Sequence, residues 1–80
     1  MAKIADRIEV NPDKHHGKPV IEGTSVPVHM VLGLLGNDVS IEEITNEYYS
    51  NITRENILAC VKYAKSIVEE VHPIGNRNGE

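Results

Sequence analysis

Gly17-Lys18-Pro19-Val20-Ile21-Glu22-Gly23-Thr24-Ser25-Val26-Pro27-Val28 sets two β-branched runs among two glycines and two prolines. Val20-Ile21 and Val26-Pro27-Val28 have the composition of short strands, because β-branched side chains suit a pleated surface. Glu22-Gly23-Thr24-Ser25 between them is the expected turn, with glycine supplying a positive φ. Three helix-like segments follow, so the segment predicts a hairpin feeding a helical bundle. It contains no nucleophile–base pair and no ligand cluster, which gives it an architectural role: covering the long third helix or pairing strand to strand across a dimer.

Downstream, Val28, Val31, Leu32 and Leu35 recur at i, i+3, i+4 and i+7, the spacing of one buried helical face. The first helix is expected over about 28–36, with His29 on its flank and Gly36-Asn37 ending it in residues that tolerate the left-handed region. Ser40-Ile41-Glu42-Glu43 has the form of a capping box. It opens a second helix over about 40–49 with Ile41, Ile44 and Tyr48 on one side. The acidic residues in its first turn complement the helix dipole. After a short connection, Thr53 caps a third helix over about 53–71, which His72-Pro73 ends. Ile57, Val61, Ala64, Val68 and Val71 step along it by four and three residues, and Leu58, Cys60 and Ile67 widen the apolar surface. Arg54 to Val71 spans roughly 27 Å at 1.5 Å per residue, longer than two short helices can cover. Its far end, with Ile67, Val68 and Val71, is therefore a candidate dimer contact, with packing on the hairpin as the other reading.

Upstream, Arg7-Ile8-Glu9-Val10 alternates polar and apolar residues, a strand signature. Residues 1–7 are expected to be loose or weakly helical. Asn11-Pro12-Asp13 makes a turn, and Lys14-His15-His16-Gly17-Lys18 an exposed loop. Adjacent histidines with no Cys or carboxylate partner at ligand spacing do not make a metal site. Residues 1–73 thus form one domain, and 74–80 have the composition of a flexible tail.

The 80 residues include a single cysteine, Cys60, and neither Phe nor Trp. No disulfide can staple the fold, and a core this small favours oligomerisation, most simply a homodimer. Cys60 between Ala59 and Val61 reads as a small buried hydrophobe in a reducing compartment. The lack of a signal-like N-terminus or a long apolar run suggests a cytoplasmic protein. No cofactor, metal or catalytic residue is expected, so the chain is not read as an enzyme. The net charge is −4, and all of it falls on residues 28–52, through Asp38, Glu42, Glu43 and Glu47. An acidic balance opposes non-specific nucleic-acid binding, although Arg54, Lys62 and Lys65 leave a local excess of positive charge.

Two helices joined by a short turn after a third match the plan of a tri-helical helix-turn-helix domain. On that plan Arg54, Asn56, Lys62 and Tyr63 would reach DNA, with Arg and Asn suited to bidentate contacts with guanine and adenine. Ile8, Asn11-Pro12, Gly17-Lys18-Pro19, Ile21, Gly23-Thr24, Val26-Pro27-Val28, Ser40 to Ile44, Tyr48, Thr53, Ile57 and Tyr63-Ala64 resemble the pattern of a bacterial and archaeal family, domain of unknown function 433. The resemblance spans about residues 7–65. It implies a mainly α fold: a short N-terminal β-hairpin followed by a three-helix, homeodomain-like helix-turn-helix bundle with a long third helix. It also implies an antitoxin of the VapB kind, acting as a dimeric DNA-binding autorepressor or as a module that caps a PIN-domain toxin without touching DNA. Two positions depart from the family pattern: Ser25 stands where arginine is usual, and Tyr49 where proline commonly follows the tyrosine of helix two.

Overall fold

The computed structural model describes residues 2–71; the tail expected at 74–80 lies outside them. Three antiparallel strands, β1 (Ala2–Ala5), β2 (Ile8–Val10) and β3 (Val20–Ile21), lie in the order β1-β2-β3. They precede α1 (Val28–Gly36), α2 (Ile41–Glu43) and α3 (Arg54–Glu70). No helix among the described residues is long and apolar enough to cross a membrane.

The sheet is larger at its N-terminus than the sequence suggests. Residues 2–5, expected to be loose or helical, form an edge strand in which Ala2, Lys3 and Ala5 pair with Val10, Glu9 and Ile8 across a bulge. The connecting turn places Arg7 at φ 63, a conformation usually left to glycine. A turn without glycine, beside a four-residue strand that is half alanine, leaves little sequence signal. The expected second hairpin is present only in part. Ile21 N–H donates to Val26 O at 2.9 Å and Val28 N–H to Pro19 O at 3.0 Å, but pairing reduces to one bridge, Val20 with Pro27. Proline has no N–H for the ladder, and Val28 is already the first residue of α1. β3 pairs instead with β2, Ile8 facing Ile21 and Glu9 facing Val20.

The turn chemistry of the opening segment is explicit. Thr24 N–H donates to Ile21 O at 3.0 Å across a turn with Gly23 at φ 79, as a type II turn requires. The Thr24 hydroxyl donates to the same carbonyl at 2.8 Å and accepts from Val26 N–H at 3.0 Å. Glycine fixes the reversal, and threonine joins its two arms.

α1 ends at Gly36, as expected, but the chain turns into the left-handed region only two residues further on. The left-handed residue is Asp38, at φ 67, rather than Gly36 or Asn37. Val39 N–H donates to Leu34 O and Asp38 N–H to Leu35 O, each at 3.0 Å, which is a Schellman ending. Val39 and Leu34 both pack on the core. The next helix changes pitch. Ser40 caps α2 by accepting from Glu43 N–H at 3.0 Å, and Ile44–Tyr48 then form a π turn closed by Tyr49 N–H to Ile44 O at 2.8 Å. An i→i+5 turn inserts one residue relative to the α pattern. Tyr49 therefore packs on the core, while Tyr48, expected on the buried side, stands 50% exposed.

The core joins one sheet face to the helices: Ile8, Ile21, Val26, Val28, Val31, Ile44, Ile52, Ile57, Ala59 and Cys60 are buried in one cluster. On α3 the inward stripe passes through Ile57, Cys60 and Ala64, with Tyr63 beside it. Val61, expected inside, is 43% exposed. Apolar residues cover so wide an arc of α3 that two stripes have helical spacing; the sheet and α1 select the one through Cys60.

Candidate functional site

The four residues expected to reach DNA do not share a surface. Thr53 Oγ1 accepts from Asn56 N–H at 3.2 Å, and Asn56 Oδ1 accepts from Thr53 N–H at 2.9 Å. This reciprocal capping box satisfies two donors at the start of α3 and occupies the oxygen Asn56 would use on adenine. Arg54 is exposed, with a guanidinium nitrogen 3.9 Å from a Glu42 oxygen. Lys62 lies on the outward side of α3 in a shallow groove with Asp6, Arg7 and Glu55. Tyr63 is half-buried against the core. At 100° per residue, Arg54 and Lys62 point outward, whereas Asn56 and Tyr63 point toward the body.

The three candidate dimer residues do gather. Ile67 and Val71 continue the inward stripe of α3 beyond the end of the body, so a face buried at Ile57 and Cys60 emerges 44% exposed at Ile67 and 64% exposed at Val71. Val68 beside them is 69% exposed. Ile67 and Val68 form one wall of an open groove of about 360 Å³ between α3 and α1, lined also by Pro19, Val28, His29, Leu32, Tyr63 and Ala64. No lining residue is Asp, Glu, Lys or Arg. Pro19 brings the opening segment itself into the groove.

A buried charge escaped the sequence reading. Glu9 and Val20 occupy the sheet face opposite the core. Val20 is fully buried and Glu9 is 3% exposed. The loop after β2 folds over them. Its short 3₁₀ turn, His15–Gly17, presents Lys14, whose ammonium sits 3.8 Å from Glu9 Oε2 and donates to Thr24 O at 3.0 Å. Gly23 N–H donates to Glu9 Oε2 at 3.4 Å. His15 Nε2 lies 2.8 Å from Ser25 O; a carbonyl only accepts, so this nitrogen carries the proton. The stretch expected to be a free loop is thus clasped to the Gly23–Ser25 turn. In sequence, Glu9 looks like the solvated member of an alternating strand, because alternation alone cannot reveal a loop on the second face.

No group of three or more potential metal ligands occurs among the described residues. Cys60 is fully buried, and burial pushes its thiol up from 9.0 to about 11, the reverse of what a nucleophile needs.

These features define a small, mainly helical domain with an N-terminal three-stranded antiparallel sheet and an apolar groove between α1 and α3. The chain belongs to the family described as protein of unknown function (DUF433), whose model matches residues 8–64. No curated protein and no solved structure matches the chain.

Proposed function

We propose that this protein is a non-catalytic binding module, antitoxin-like in role, that works by association through the α1–α3 groove. The observation that carries the reading is the inward stripe of α3, which runs past the core to stand exposed at Ile67 and Val71 and borders an apolar groove. Contiguous exposed apolar surface rimmed by polar residues marks association sites on soluble folds. The family resemblance supplies the class of target: a PIN-domain nuclease, which the module would cap once assembled through this groove. The test is titration calorimetry of the full chain against a PIN-domain nuclease encoded beside it. Stoichiometric binding supports the capping role, and no heat at micromolar concentrations sinks it.

The homeodomain-like helix-turn-helix autorepressor is the second reading, favoured by Arg54 and Lys62 on the outward face of α3. Asn56 in its capping box and the acidic α2 beside Arg54 weigh against base readout. A gel shift on the protein's own upstream DNA at moderate salt decides: a shift lost in Arg54→Ala restores the DNA-binding reading.

A further inference from the structure

We infer that the occupant of the α1–α3 groove is a second copy of this chain, packed about a two-fold axis with the C-terminal end of each α3 against the groove of the other. This rests on the reading of the groove as an association surface and names its partner.

A two-fold interface needs a patch that complements itself, and this surface supplies both halves. The groove is concave between α1 and α3, and the end of α3 is an apolar ridge carrying Ile67, Val68 and Val71. Charge points the same way. The chain is 25% charged, yet the groove is lined by no Asp, Glu, Lys or Arg. A copy brought against itself therefore meets no like charge there, and the acidic surplus of residues 28–52 sits at Asp38, Glu42, Glu43 and Glu47, outside the lining. A basic or acidic partner would find nothing to pair with.

α1 adds an independent observation. Gly33 and Gly36 lie one turn beyond His29 and Leu32 on the exposed side of α1, and a Cβ at either position would meet nothing within 4 Å. Gly33 is interior to α1, where glycine costs about 1 kcal/mol relative to alanine, and no crowding within the described residues requires it. A second backbone approaching α1 would use that space. The chain's own residues 72–80 are a poor substitute, since they bring one aliphatic side chain, Ile74, among mostly polar neighbours.

The experiment is sedimentation velocity on the full chain as wild type, Val68→Glu and Val61→Glu, with circular dichroism confirming that each folds. Both positions are well exposed, so each variant should retain its helices. Wild type is expected to dimerise. Val68→Glu places like charges across the interface and should raise the dimer dissociation constant by roughly a hundredfold or more. Val61→Glu, on the outward face of α3, should leave it unchanged. A wild type still monomeric at roughly 100 µM, or dissociation by Val61→Glu alone, overturns the proposal. A monomer that dimerises only after residues 72–80 are removed assigns the groove to that segment and also overturns it. A monomer whose nuclease binding is lost in Val68→Glu overturns the second copy but keeps the association reading. Val68→Glu without effect on either partner overturns both.

Discussion

The two halves of α3 have similar apolar content and opposite fates. From Arg54 to Cys60 the helix is capped by a reciprocal box and buried at Ile57, Ala59 and Cys60. From Ile67 to Val71 the same stripe continues with nothing from the described chain over it. The helix does not change character between them; the cover does. Helical periodicity reports which face is apolar, and only the positions of the sheet and α1 decide how far along the helix that face is used.

The largest test of this contrast is in the covered half. Ile57→Ala removes a fully buried side chain and should cost about 2–5 kcal/mol, a large share of the stability of a small domain, as a lowered urea midpoint. Val68→Ala, truncating an equally apolar residue in the uncovered half, should change monomer stability by about 0.5 kcal/mol or less. Equal costs would erase the comparison.

Cys60 probes the covered half through pH. Its thiol is pushed up to about 11, so above pH 9 the unfolded chain loses a proton the folded chain keeps. Stability is then fully present below pH 9 and falls as the pH rises toward 11, by about 2–3 kcal/mol. Cys60→Ala should remove that component of the alkaline loss. Smaller effects belong to the ends of the helices. Thr53→Ala breaks the capping box and should cost about 1 kcal/mol by urea titration. Asp38→Gly relieves a left-handed residue and should raise stability by about 0.5–1 kcal/mol. Being remote from α3, it should add to the Thr53→Ala effect with little coupling.

Much of this architecture is legible in the sequence because it is local. Thr53 as a cap, α1 starting at Val28, buried Cys60 and the Gly23-Thr24 reversal each follow from a few adjacent residues. What escaped is non-local or breaks a local rule. β1 exists because β2 offers it an edge, and its turn uses Arg7 where glycine would have been a signal. Tyr48 and Tyr49 exchange places because of one inserted residue in a π turn, which no α periodicity anticipates. Glu9 is buried by the loop that follows β2, held there by Lys14 and by the Gly23 turn fourteen residues on. Of the candidate site, Ile67, Val68 and Val71 were legible from the length of α3. Pro19, His29 and Leu32 were not, since they join the groove only through the crossing of α1 and α3. The expected base-reading set scattered for the same reason: spacing placed its members on one helix but not on one side of it.

The placement of β2 also governs when the fold can form during synthesis. Ile8 belongs to the same buried cluster as Ile57 and Cys60, so the first third of the chain cannot finish packing until the last third has been made. Chains emerge N-terminus first, and the sheet must therefore wait with its apolar face bare. Such long-range closure slows folding relative to a simple helical bundle. A nascent chain of this protein stalled before Ile57 should remain open to protease, and one extended well past Cys60 should abruptly become resistant.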